Sequence, residues 1–212
     1  MFGSSFENTP SNQFQKTSTR PSSLLQAESF SSRVITCRTR CLEQDGRFAP
    51  NSIASISFDD FDERSLHALY GEKGKETGLL RITSADQHLK LPFNHFYPSY
   101  SSDLEANNGE ISRFLISPDA RKGRATASLI EAAFRFSVSS GINRLFIDVV
   151  DGNLGAAPKS YEKHYGFQFT GHSGYDANYS CITHLMVLDG SAAIREISER
   201  LTSRLLKIRG DA

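Results

Sequence analysis

The segment Glu110-Ile111-Ser112-Arg113-Phe114 places a carboxylate and a guanidinium at the head of an apolar run that continues to Ser117. A carboxylate entering a buried strand is costly without a partner. Glu110 therefore either closes an ion pair, with Arg113 at hand, or sits in a polar cleft where it can move a proton. Downstream, Arg121-Lys122-Gly123-Arg124 opens a helix. Helix N-termini present unpaired N–H groups and partial positive charge, so this cationic turn suits a phosphate; it also reads as a plain charged turn. Asp59-Asp60-Phe61-Asp62 sets two carboxylates three apart beside an aromatic, a pattern for holding an ammonium or guanidinium group or for a solvated turn. Tyr161, in Tyr161-Glu162-Lys163-His164-Tyr165-Gly166-Phe167, either packs or donates a proton. No EF-hand loop and no His at ligand spacing is present, so no metal is expected.

These groups need elements to hold them. Val34, Cys37, Cys41 and Leu42 recur at helical spacing, with Gly46 as the stop. Residues 51–58 read as strand or loop. Residues 67–70 and 77–83 read as a hairpin around Gly71-Glu72-Lys73-Gly74. Residues 91–108 form a polar connection with room for a short helix. A strand over 111–117, a helix over 124–140 closed by Gly141, and a strand over 144–150 follow. A short helix over 156–164, a strand over 182–188 and an amphipathic helix over 191–207 complete the chain. This order predicts an α/β sandwich with a mixed sheet, its 111–150 piece a crossover unit.

With 212 residues and 38% hydrophobic residues, the chain is sized for one domain, 33–212, behind a polar tail over 1–32. The tail has no continuous apolar run, so it reads as neither signal peptide nor anchor, and no transmembrane segment is expected. The formal net charge is zero, which disfavours nucleic acid as partner. Three cysteines do not make a disulfide scaffold, which points to a reducing, cytoplasmic setting.

Taken together, the strand, the Arg/Gly loop, the helix, the next strand and Tyr161-x-x-x-x-Gly166-Phe167 resemble the acyl-carrier core of GNAT acyltransferases. Upstream, Arg38, then Asp59-x-Phe61-Asp62, Arg81 in Gly78-Leu79-Leu80-Arg81, and Glu110-x-Ser112-Arg113-Phe114 are similar in order to two groups: the acyl-homoserine-lactone synthases and the long-chain N-acyl amino acid synthases. Ser65-x-His67 and the absence of Trp fit the second group better. The resemblance covers about residues 33–172. The loop at 121–126 is poor in the glycines of the usual pyrophosphate loop, and suits the single phosphate of a carrier protein's phosphopantetheine at least as well as CoA.

The resemblance implies a GNAT-like mixed α/β sheet, flanked by helices, with splayed central strands. It implies an N-acyltransferase drawing a long acyl group from acyl carrier protein or acyl-CoA as co-substrate, with no tightly bound cofactor, onto a small amine acceptor such as an amino acid. Glu110 is then the base, acting directly or through water. Backbone N–H groups over Phe114, Leu115 and Ile116 meet the oxyanion, and Tyr161 protonates the leaving thiolate. Arg121, Lys122, Gly123 and Arg124 meet the carrier's phosphate. Arg38, Asp59, Asp62, Arg81 and Arg113 form an ion network that shapes the acceptor site, with the Asp pair placed for an ammonium and an Arg for a carboxylate. In a regular strand Glu110 and Arg113 face opposite ways, so a bulge is predicted between them. Phe134, Phe146 and Phe167 are candidates for the floor of an acyl tunnel. Two alternatives stand beside this reading: a lactone synthase that uses S-adenosylmethionine, and a carrier-binding module without turnover.

Overall fold

Where apolar residues recur at helical or strand spacing, the chain builds one sheet and packs helices on both faces. A computed structural model describes residues 25–45, 58–85, 90–98, 100, 107–121, 124–150, 157–176 and 181–210. In chain order the elements are β1 (Leu25–Glu28), α1 (Ser32–Asp45), β2 (Leu66–Tyr70), β3 (Gly78–Ser84), α2 (Phe93–Phe96), β4 (Asn108–Ile116), α3 (Ala125–Ser139), β5 (Arg144–Val150), α4 (Ala157–Tyr165), β6 (Gln168–Asp176), β7 (Cys181–Asp189) and α5 (Ser191–Gly210). The sheet order is β1-β2-β3-β4-β5-β7-β6. Among the described residues only β4 and β5 pair in parallel, joined through α3, and the other neighbouring pairs are antiparallel. The predicted mixed α/β sheet is thus the architecture.

Alternation along the strands sorts the side chains onto two faces. Leu145, Ile147 and Val149 of β5 and Met186 and Leu188 of β7 pack with Ile130 and Phe134 of α3 and Ile194, Ile197 and Leu201 of α5. Ala125, Leu129 and Ala133, one turn apart on α3, cover Leu80, Ile82 and Ile116. On the opposite face, Val34, Cys37, Cys41 and Leu42 of α1 cover Leu69, Leu79 and Leu115, while Phe93 and Tyr97 cover Phe146 and Leu185. Gly141 ends α3 with φ +65°, a left-handed turn that a side chain would oppose, and its N–H reaches the Val138 carbonyl.

Several expectations are corrected. The polar tail does not run to residue 32: Leu25–Glu28 pairs antiparallel with β2 over Ala27↔Ala68 and its neighbours. β4 begins at Asn108, so Glu110 lies inside the strand instead of opening it. β6, which has no apolar run, is an extra edge strand that β7 pairs with. The expected strand or loop over 51–57 and the stop at Gly46 lie outside the described residues, as do Lys122 and Gly123.

Candidate active site

The predicted bulge is present, and it organises the site. Between Leu79↔Leu115 and Arg81↔Ser112 the register slips by one residue, so β4 carries an extra residue opposite Leu80. Arg113 takes up the extra length with φ +51°. A left-handed conformation costs a non-glycine residue roughly 1–2 kcal/mol. The ion pair from Arg113 Nη2 to Asp59 Oδ2 at 2.8 Å offsets it. Because of the bulge, Glu110, Ser112 and Arg113 serve one face, and Ile111 and Phe114 pack on the other with α3.

Past the bulge the two central strands part. Pairing of β4 with β5 stops at Ile111↔Ile147. β4 continues against β3 to Ile116, while β5 stays with β7 to Val150. A cleft of about 630 Å³ fills the gap. Asp59, Arg81, Glu110, Arg113, Asp148 and Asp176 line its polar side; Ile111, Phe114, Ile147, Val149 and Tyr161 line its apolar side. The opening therefore runs from a charged face of the sheet to a greasy one.

Glu110 sits at the junction with 2% of its surface exposed. It forms no ion pair with Arg113; its Oε2 accepts the Phe93 N–H at 2.7 Å. Burial dominates its proton affinity. The Phe93 N–H and the Arg81 charge pull the pKa down, Asp148 and Asp59 push it up, and the outcome is about 8. On the apolar side, burial raises the Tyr161 phenol to about 12, so it keeps its proton at neutral pH.

The five charged residues expected to cooperate form one network. Arg38 clamps Asp62 with two bonds of 2.7 Å. Arg81 Nη1 donates to Asp59 and, at 3.1 Å, to Asp62, while its Nε donates to Ser112 Oγ at 3.0 Å. Burial opposes the charge on Asp62, yet the bonds and charge of Arg38, then Arg81, hold its carboxyl at about 2. His67 Nε2–H donates to the Asp62 carbonyl at 3.2 Å, and burial lowers the His67 pKa, favouring the neutral ring. Arg38 and Asp62 are both sealed and do not line the cleft. They sit behind Arg81 and hold it, so Asp62 is not placed to meet an ammonium.

A family model described as the acetyltransferase (GNAT) family matches residues 36–167. The chain belongs to the GNAT family of acetyltransferases. It is an acyltransferase of GNAT type, and its parted central strands are the feature the sequence resemblance implied. Among solved structures it is similar to FeeM, an N-acyl amino acid synthase from uncultured soil microbes, at 14% identity over 78% of this chain and 91% of that one, TM-score 0.56. It is also similar to BjaI, a CoA-dependent acyl-homoserine lactone synthase solved with SAM and isopentyl-CoA (18% identity, 84% and 89% covered, TM-score 0.57). A third is TofI in a ternary complex with an inhibitor and MTA (15% identity, 81% and 96% covered, TM-score 0.58). At these identities the likeness is one of fold. No curated protein matches the sequence.

The other expected positions of this GNAT chain are distributed as follows. Phe114 and Leu115 line the cleft, whereas Ile116 packs under α3. Arg121 is tied down: its Nε donates to the Ile116 carbonyl at 3.2 Å and its Nη2 to Asp45. Arg124 is exposed at the start of α3. Phe134, Phe146 and Phe167 do not floor the cleft; all three are sealed in closed cores. Sequence reasoning passed over Tyr97, Asp148, Asp176 and Thr183, which the fold brings to the polar side: Tyr97 Oη donates to Asp148 Oδ1 at 2.6 Å and lies 2.7 Å from Thr183 Oγ1. The overlooked signal was Asp148 in the apolar run Arg144–Val150, the same kind of signal as Glu110. Among the described residues no group of three His, Cys, Asp or Glu is arranged to hold a metal ion. No helix among them is long and apolar enough to cross a membrane.

Proposed function

We propose that this protein is an N-acyltransferase of the N-acyl amino acid synthase kind, moving a long acyl group from acyl carrier protein or acyl-CoA onto the amine of an amino acid. The observation that carries this reading is Glu110, buried at the point where β4 and β5 part, between a polar and an apolar half of one cleft. The apolar half, with Ile111, Phe114 and Val149, suits an acyl chain; the polar half suits a small charged acceptor.

Aminolysis of a thioester consumes an ammonium and must dispose of its proton. Glu110 in its base form takes that proton, freeing the nitrogen lone pair. The amine attacks the thioester carbon, a C–N bond forms, and the oxyanion is met by N–H groups of Phe114 to Ile116 on the strand edge left open by β5. Collapse breaks the C–S bond. The thiolate, a good leaving group with a thiol pKa of about 8.5, takes a proton from Tyr161 or from the nitrogen through Glu110. The products are an amide, a free thiol and one proton released to solvent. Arg124 at the start of α3 is assigned to the phosphate of the donor, together with Lys122 and Gly123 that precede it in sequence; Arg121 would have to exchange its bond to Asp45 to join them.

The test is product analysis. Purified protein is incubated with long-chain acylated carrier protein or acyl-CoA and a panel of amino acids, and products are read by mass spectrometry. Acyl amino acids support the proposal. Acyl lactones formed from S-adenosylmethionine would transfer the protein to the lactone-forming class, and tight binding of acylated carrier without discharge would make it a carrier-binding module.

A pH dependence follows. Glu110 accepts a proton only when ionised, and its pKa is about 8. The acceptor kcat/KM, which reports the free enzyme, is expected to rise with pH by about tenfold per unit and to level off above about pH 8. Stopped-assay rates from pH 6 to 9.5 check this; a flat profile would remove Glu110 from the base role.

A further inference from the structure

The carboxylates first expected to hold the acceptor's ammonium are both already occupied. Asp62 spends Oδ1 on Arg38 and Arg81 and Oδ2 on Arg38 and the Asp59 N–H. Asp59 spends Oδ1 on Arg81 and the Phe61 N–H and Oδ2 on Arg113. The three guanidinium groups thus engage all four oxygens of the two carboxylates and leave neither acid open to an ammonium.

Across the gap the arrangement is opposite. Asp148 follows Ile147, the last β5 residue paired to β4, so its carboxylate stands where the strands part and faces the cleft. Its hydrogen bonds come from the hydroxyls of Tyr97 and Thr183, and among the described residues it has no ion pair. A partly buried carboxylate held in place by neutral hydroxyls and open to a cleft is a ready seat for a cation.

We propose that Asp148 binds the ammonium group of the amino acid acceptor. This rests on the N-acyltransferase reading. An acceptor without an amino group would leave Asp148 with hydroxyl donors alone. The position also links binding to chemistry. The groups facing Asp148 are Glu110 from β4, Asp176 from β6, Tyr97 after α2 and Thr183 from β7, with His184 of β7 at longer range. Because the Asp148 charge raises the proton affinity of Glu110, an ammonium seated on Asp148 cancels that influence and turns Glu110 toward its base form.

The experiment is steady-state kinetics of Asp148→Asn with the amino acid that gives most product in the panel above. The acceptor KM is expected to rise about 10- to 100-fold, with the donor KM within about twofold of wild type. The acidic limb of the pH profile is expected to move to lower pH, because Glu110 loses a like-charged neighbour. An unchanged acceptor KM, or both KM values rising together with a lowered Tm, overturns the assignment. A second measurement needs no variant: the des-amino analogue of the same acceptor is expected to compete at least tenfold more weakly than the amino acid binds, and equal competition overturns the ammonium seat. Wild-type protein inert toward every amine overturns the function and the assignment with it. An active wild type with an unaltered Asp148→Asn overturns the assignment alone.

Discussion

Glu110→Gln protein is expected to turn over about 10²- to 10⁴-fold more slowly than wild type, the usual contribution of a positioned base, with donor affinity nearly unchanged. The amide keeps the shape of the side chain and its acceptor oxygen for the Phe93 N–H. What it loses is the ability to take a proton. Fold integrity has its own readout. Burial raises the folded-state pKa of Glu110 to about 8, above its unfolded value near 4.5, so between those limits the folded state binds a proton that the unfolded state does not. That contribution is fully present below about pH 4.5 and is lost as pH rises through 8. Wild-type Tm is thus expected to fall between pH 5 and 8.5 more steeply than that of Glu110→Gln. Thermal melts at both pH values, beside single-turnover rates, test the two halves. Near-wild-type turnover would remove Glu110 from the chemistry.

The second large effect is on stability. Asp62→Asn removes the carboxylate charge that Arg38 clamps and one of the two that Arg81 engages, both arginines being almost wholly inaccessible to water. Breaking a buried pair by removing one partner costs about 3–5 kcal/mol, since the remaining charge stays buried. For a chain of this size that is a fall in Tm of roughly 6–20 °C. Asp59→Asn is the informative contrast. Asp59 is 25% exposed and shares the cleft, so its loss is expected to cost less stability and to show chiefly as a weaker acceptor. Equal melting curves for the two variants would argue against the division into a sealed layer and a substrate-facing layer.

This layering explains why an enzyme would invest in so many charges around one reaction. Arg81 must reach Ser112 and Asp59 at fixed distances, and a long side chain is fixed only when all its donors are engaged. Arg38 and Asp62 supply that restraint from behind. In front, Arg113 is held by the bulge and by Asp59. The polar side of the cleft is thereby set before an acceptor arrives, which spares the cost of ordering it on binding.

The sequence by itself determined the elements whose apolar residues repeat. The α3 stripe of Ala125, Leu129 and Ala133, the β5 run, and the closing helix through Ile194, Ile197 and Leu201 each bury a face, and burial imposes a period on sequence. It also disclosed the bulge, since Glu110 and Arg113 cannot share a face without one, and it brought Arg38, Asp59, Asp62, Arg81 and Arg113 to one network through their family-like order. Tertiary structure alone decided what lacks a period. The edge strands β1 and β6 are held by the backbone of β2 and β7, and an edge needs no apolar alternation of its own. Tertiary structure also chose which aromatic residues are core: Phe134, Phe146 and Phe167 fill closed cores because their neighbours seal them. It alone brought Tyr97, Asp148 and Thr183 together, from segments 51 to 86 residues apart in two of their contacts. Proximity of that kind depends on where two strands part, and no local stretch of residues encodes it.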